Sequence, residues 1–101
     1  MKVYTLVYHE DVSIDYNDAY FWYEDHQKGL GEKFLSAVRD KVLGILSNPE
    51  TFSVKSKPGY HETLVDGFPF LIVYRIYKKQ SRILITSIHH EKKHPRSKFR
   101  R

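Results

Sequence analysis

Cysteine is absent from this 101-residue chain. Without thiols the protein forms no disulfide scaffold, no thiolate metal site and no cysteine nucleophile. Long apolar runs are missing too, since Phe68–Tyr74 is far shorter than the roughly 18 residues of a membrane span. The first ten residues lack the apolar stretch of a secretory signal. The sequence therefore predicts a cytoplasmic protein that does not enter a membrane.

Common catalytic signatures are absent as well. The sequence contains no GxGxxG, no GxxxxGK[ST] and no GxSxG, so dinucleotide binding, P-loop nucleotide hydrolysis and serine hydrolase chemistry have no support. The six histidines have no cysteine to share a structural metal site with. The sequence predicts that the protein uses neither a metal nor another cofactor.

Charge is distributed unevenly along the chain. Residues 92–101 hold six of the 17 Lys and Arg residues and no Asp or Glu, whereas residues 10–25 hold six acidic residues and no Lys or Arg. The overall composition, 41% hydrophobic and 15% aromatic, is typical of a globular protein. We predict one domain over 1–101 that ends in a basic C-terminal segment, 92–101.

The first half of the chain predicts one strand and two helices. Val3–Tyr8 is rich in β-branched and aromatic residues and indicates a strand buried on both faces. A helix follows from Asp11 or Ser13, and a second helix runs from Glu32 to Asn48-Pro49. Gly29-Leu30-Gly31 separates them, which predicts an antiparallel helical hairpin.

Apolar residues at helical spacing predict the buried faces of these helices. They are Tyr16, Ala19, Tyr20 and Tyr23 in the first helix, with Trp22 expected to pack as well, and Phe34, Val38, Val42 and Ile45 in the second.

The second half predicts a loop and three strands. After a polar loop over 50–59, Tyr60–Val65 and Phe68–Tyr77 flank Asp66-Gly67, which favours a two-residue type I′ hairpin turn. A turn over 78–81 leads to the last strand, Arg82–His90. The predicted fold class is α+β, in the order β-α-α-β-β-β, with the helical hairpin on one face of a small, mostly antiparallel sheet.

Basic residues are concentrated on the late strands, their loop and the exit segment. If they share one surface, that surface attracts phosphates; the alternative is that they only keep the strand edges soluble. His89 and His90 point to opposite faces by strand alternation, so only one of them can face a cleft. A histidine beside arginines can act as a general acid or base, while a polar strand end is the simpler interpretation.

Six segments carry a resemblance to one family: Ala19–Glu24 (AYFWYE), Gly29–Phe34 (GLGEKF), Asn48–Phe52 (NPETF), Tyr60–Val65 (YHETLV), Phe68–Tyr74 (FPFLIVY) and Ile88–Pro95 (IHHEKKHP). In this order, over nearly the whole chain, they resemble the RelE/ParE toxins of bacterial type II toxin–antitoxin systems. The resemblance implies a growth-inhibiting toxin, of the kind once described as plasmid-stabilisation proteins, that a cognate antitoxin wraps and inactivates.

The family divides by target. RelE-like members cut messenger RNA in the ribosome, whereas ParE-like members poison DNA gyrase without evident catalytic residues. The resemblance therefore implies either the ribosome and mRNA or DNA gyrase as the target, and a family member without toxicity is a third possibility.

Five residues are expected to carry a nuclease activity: His90, Lys57 and Lys55, which match the family by position, and Arg75 and Arg82, which could clamp phosphates. His90 would act as acid or base, the two lysines as base or charge stabilisers, and the two arginines on the scissile phosphate. His61 stands where relatives usually have arginine, and Phe99 where RelE-like toxins present a tyrosine. Because His90 coexists with the basic residues, the endoribonuclease is the leading prediction and a non-enzymatic gyrase inhibitor the alternative.

Overall fold

The strand and helix order of the chain is β-α-α-β-β-β, as predicted. The computed structural model describes residues 3–51, 57–93 and 98–100. Its elements are β1 Thr5–Tyr8, α1 Val12–His26, α2 Leu30–Ser47, β2 His61–Leu64, β3 Phe70–Tyr77 and β4 Arg82–His90.

The four strands form one mixed sheet in the order β1-β4-β3-β2. β2, β3 and β4 pair antiparallel, while β1 pairs parallel with β4, Thr5 opposite Arg82 and Tyr8 opposite Ile85. A parallel pair needs a long crossover connection. The helical hairpin begins that crossover and packs on one face of the sheet, which confirms the predicted fold class.

The core lies between the hairpin and this helix-covered face. The apolar stripe predicted for α2 is buried in full, and it meets isoleucines and Tyr74 of β3 and β4. Tyr74 is fully buried and donates its hydroxyl to the carbonyl of Pro49, which ties the end of α2 to the sheet.

Neither of the two described helices lies on the opposite surface of the sheet, and we call that surface the open face. Ile72, Tyr74 and Ile76 of β3 point to the core, so the alternate residues Val73, Arg75 and Tyr77 point to the open face.

A bulge in β4 changes which residues share that face. The register with β3 shifts between Val73 and Tyr74, which pair with Ser87 and Ile85, so Thr86 is the extra residue. Ile83 and Ile85 face the core before the bulge, and Ile88 faces it afterwards. Ser87 and His89 therefore point to the open face, and His90 points to the helix side.

Three local predictions were wrong. β1 is not buried on both faces, since Val7, which points to the open face, is 38% exposed, because β1 is an edge strand and no described helix covers that face. Trp22 is 57% exposed and stacks on His26 instead of entering the core. The β2-β3 connection spans residues 65–69 and is closed by the bond from the N–H of Val65 to the carbonyl of Phe70. Only Gly67 in it has a positive φ, 83°, whereas a type I′ turn needs two such residues.

The glycine break between the helices is confirmed, with α2 starting at Leu30 rather than Glu32. Gly29 adopts a left-handed conformation, φ 89°, that turns the chain back. The carboxylate of Glu24, in the last turn of α1, accepts the backbone N–H groups of Gly29 at 3.0 Å and Gly31 at 3.0 Å. It thereby satisfies two donors at the start of α2 that have no partner within the helix.

We expect Gly31→Ala to destabilise the hairpin. A Cβ at this position would lie 2.8 Å from the ring of Tyr20 and 2.9 Å from Oε1 of Glu24, so the substitution should lower the unfolding free energy by about 1 kcal/mol or more. Gly44→Ala, in the same helix with nothing within 4 Å of the new Cβ, should raise it by about 1 kcal/mol. Urea unfolding of both variants measures the difference, and equal effects would contradict this packing account.

Candidate functional site

Two cations and three aromatic rings form a cluster on the open face, between β3 and the segment that precedes β2. The guanidinium carbon of Arg75 lies 4.8 Å from the ring centre of Tyr60 and 5.5 Å from that of Tyr77. The ammonium of Lys57 lies 5.3 Å from the ring centre of Phe99. Cation–π attraction restrains both charges without neutralising them. The site therefore presents two oriented positive charges.

The end of the chain covers part of this face. The carbonyl of Lys98 accepts hydrogen bonds from the hydroxyls of Ser87 at 2.9 Å and Thr86 at 3.3 Å. The buried Tyr60 donates its hydroxyl to the carbonyls of Phe99 and Arg100, at 3.2 and 3.1 Å. Side chains of the sheet thus hold the backbone of residues 98–100 in place.

A third cation on the face, Lys98, is paired. Its Nζ lies 2.8 Å from Oε2 of Glu62 on β2, and both side chains are mostly buried. The contact is a close ion pair rather than a directed hydrogen bond, since Oε2 finds no donor at a favourable angle among the described residues. The pair neutralises Glu62, so the face keeps a net positive charge.

The last described residue, Arg100, reaches α1. Its Nη1 and Nη2 donate to Oδ2 and Oδ1 of Asp15 at 2.6 and 3.0 Å, and Nη1 also lies 3.3 Å from the carbonyl of Thr86. Oδ2 of Asp15 accepts the backbone N–H of Ile88 at 3.0 Å as well. A bidentate arginine–carboxylate pair of this kind is among the strongest polar contacts in proteins.

The two histidines at the end of β4 lie in different surroundings. His89 is 4% exposed, with Nε2 3.0 Å from the carbonyl of Lys93. Burial lowers the pKa of His89, so the ring is neutral near pH 7 and Nε2 is its donor. His90 packs edge-on against Phe70, and its Nδ1 accepts the backbone N–H of Lys92 at 3.1 Å.

His90 lines a cavity of about 470 Å³ between α1 and the ends of β3 and β4. Trp22, Tyr23, Phe70 and Ile88 supply apolar walls, and Asp18 and Lys93 are among the charged residues that line it. The cavity lies on the helix side of the sheet, away from Lys57 and Arg75.

Of the five residues predicted for the site, the structure brings two together, Lys57 and Arg75. Arg82 shares the open face but lies at the β3-β4 hairpin, opposite Tyr77. His90 lies on the other side of the sheet, and Lys55 lies outside the described residues.

Sequence reasoning missed Tyr60, Lys98 and Asp15 as parts of this arrangement. The sequence offered one signal for these contacts, an acidic N-terminal stretch and a basic C-terminal segment of opposite charge. That signal does not indicate which acidic residue pairs with which basic residue.

The spacing His90-Glu91-Lys92-Lys93-His94 matches HExxH, a zinc motif that the sequence prediction of no metal overlooked. That motif places two histidines on one face of a helix. Here His90 ends a strand and Glu91 and Lys92 form a turn, while His94 lies outside the described residues. Within the described part of the chain, no three acidic or histidine side chains are grouped as a metal would require.

No described helix is long and apolar enough to cross a membrane.

The fold defined above is that of the RelE/ParE toxins. The chain matches a mutant of the E. coli toxin RelE in the free state with a TM-score of 0.67 at 14% identity, over 89% of this chain and 85% of that one. It matches the chromosomal ParDE system of P. aeruginosa with a TM-score of 0.67 at 21% identity, over 89% of this chain and 98% of that one.

The intact E. coli RelBE toxin–antitoxin complex gives the same TM-score of 0.67 at 14% identity, over 89% of this chain and 99% of the matched chain. No protein-family model and no curated protein matches the sequence. Identities this low establish the fold, and the resemblance seen in the sequence is confirmed at that level.

We expect the stability of the protein to depend on pH through His89. Because the pKa of His89 is lowered in the folded protein, the unfolded chain binds more protons once the pH falls below the ordinary value of 6.5. The unfolding free energy should therefore decrease as the pH falls from about 7 to about 5. His89→Gln should flatten this decrease in urea titrations across that range. An unchanged slope in His89→Gln would contradict the assignment.

Proposed function

We propose that the protein is the toxin of a type II toxin–antitoxin system. The observation that carries the proposal is a basic open face on a fold shared with RelE and ParE over 89% of the chain. Structures with this fold include the RelBE complex and the ParDE system, in which toxin and antitoxin occur together. A cognate antitoxin is accordingly the expected partner of this chain.

As its mechanism we propose metal-independent cleavage of mRNA in the ribosome. Arg75 and Lys57 project from the open face with charges that no carboxylate pairs among the described contacts, so they can bind an RNA phosphate. Arg75 would stabilise the charge that develops on the scissile phosphate. Lys57, with Lys55 of the same loop, would act as base or charge stabiliser, and Arg82 would contact a phosphate further along the strand.

We propose no catalytic role for His90. Its ring faces the cavity on the helix side, where it packs on Phe70, and it cannot reach a phosphate held by Arg75. His89 faces the correct side but is covered by the chain and bonded to the Lys93 carbonyl. RNA cleavage would then depend on lysine and arginine.

The separation of both histidines from Arg75 and Lys57 also favours a second candidate, a gyrase inhibitor without catalytic residues. Phe21 and Trp22 on α1 are 59% and 57% exposed, which provides an apolar surface for a protein target. The basic open face would then serve only to bind the antitoxin.

Substitutions on the open face should separate the two functions. If the protein cleaves RNA, Arg75→Gln and Lys57→Gln should each slow cleavage by about 10² to 10³, the usual loss for one group that stabilises transition-state charge. His90→Ala should keep full cleavage, and Lys33→Gln, on the exposed surface of α2, is the matched charge control. New mRNA ends in induced cells, mapped against codons, measure the rate.

Two outcomes would contradict the nuclease. Intact RNA with altered plasmid supercoiling or trapped gyrase cleavage would support the gyrase inhibitor, whereas normal growth on induction would mean that this chain has the fold without the activity.

Antitoxin binding should be sensitive to salt. An acidic antitoxin segment docked on the open face would lose affinity as the salt rises from about 0.05 M to about 0.5 M, because the Debye length shortens. Calorimetric titration of the toxin with its antitoxin measures this, and Arg75→Gln should reduce the salt dependence. An affinity that is constant over the range would rule out electrostatic docking there.

A further inference from the structure

Asp15 and Arg100 join two parts of the chain that lie 85 residues apart. Their side chains are 8% and 16% exposed, so water competes little for the bidentate contact. Asp15 belongs to the acidic N-terminal stretch and Arg100 to the basic C-terminal segment. The contact is where these two oppositely charged regions meet.

A second contact, independent of Arg100, fixes the carboxylate of Asp15. β1 pairs with β4 only as far as Ile85, so none of the described strands pairs with the edge of β4 beyond that point. Asp15 accepts the free N–H of Ile88 there, at 3.0 Å. This bond gives Arg100 a preorganised acceptor at the edge of the sheet.

Arg100 holds residues 98–100 in place on the open face. Within that segment Lys98 neutralises Glu62, and Phe99 lies beneath the ammonium of Lys57 and against Tyr60. If the segment left the sheet, the Glu62 carboxylate would be unpaired on β2, beside β3, which carries Arg75. A negative charge there repels phosphates.

We propose that Asp15 is a positioning residue which, through Arg100, holds residues 98–100 on the open face and so keeps Glu62 neutralised for RNA binding. The proposal rests on the proposed function in taking RNA as the ligand of that face. Asp15 itself does not touch the RNA, since it lies at the edge of β4 under Arg100.

Digestion with trypsin tests whether Asp15 and Arg100 hold residues 98–100 on the sheet, and it does not depend on whether the protein is toxic. Trypsin can cleave the Lys98–Phe99 bond only when the segment leaves the sheet. Mass spectrometry measures the rate of this cleavage. Asp15→Asn and Arg100→Gln should each speed this cleavage about tenfold or more, because each removes a charge-assisted hydrogen-bonded pair. Asp18→Asn, a turn further along α1, is the control and should leave it unchanged.

Binding of a short oligouridylate tests the positioning role. Asp15→Asn and Arg100→Gln should weaken binding about threefold to tenfold, the order expected for one lost favourable charge on the surface. Adding Glu62→Gln to Asp15→Asn should restore the affinity while Lys98–Phe99 cleavage stays fast. A general loss of structure would not be rescued in this way. Arg100→Gln retains the bond from Ile88 to Asp15, so it serves if Asp15→Asn fails to fold.

Two results would overturn the proposal while the unchanged protein still binds RNA. In the first, cleavage in both variants stays as slow as in the unchanged protein. In the second, cleavage speeds up but RNA affinity does not fall, or Glu62→Gln fails to restore it. If the unchanged protein and Asp18→Asn both fail to bind RNA, the proposed nuclease and the positioning role are both wrong.

Discussion

The parallel pairing of β1 with β4 is the constraint on which the rest of this structure depends. It places the first and last strands side by side, so the chain between them must cross from one end of the sheet to the other. The helical hairpin makes the first part of that crossover and covers one face of the sheet. Within the described part of the chain, no further helix or strand covers the other face, which is therefore available for charged side chains and for residues 98–100.

The open face is stabilised by polar contacts, whereas the helix side is stabilised by the burial of apolar side chains. Serine, threonine and tyrosine hydroxyls donate to the backbone of residues 98–100, and Arg75 and Lys57 pack their charges on aromatic rings. Buried polar groups are costly unless they are paired, so this surface requires the chain end in one position. The uneven charge of the sequence contributes directly, because the basic C-terminal segment finds Glu62 on β2 and Asp15 on α1 as its partners.

Much of the fold could be predicted because it follows from local patterns. The α2 stripe of Phe34, Val38, Val42 and Ile45 is buried as its spacing indicates, and Arg82–His90 is a strand with the predicted ends. The site could be predicted only in part. Lys57 and Arg75 share the open face, but His90 does not join them, since the bulge at Thr86 shifts the alternation of β4 before the histidines. Neither Thr86 nor its neighbours carry a sequence signal for that bulge.

By itself, the sequence determined the elements and their order, because helix and strand periodicity, glycine at the hairpin and proline after α2 are local properties of the chain. It also determined the separation of acidic and basic residues along the chain. Only the tertiary structure decided which charges meet and which histidine faces which side, since these depend on strand register and on contacts between residues as distant as Asp15 and Arg100. Such contacts join residues far apart in the sequence, so no local pattern encodes them.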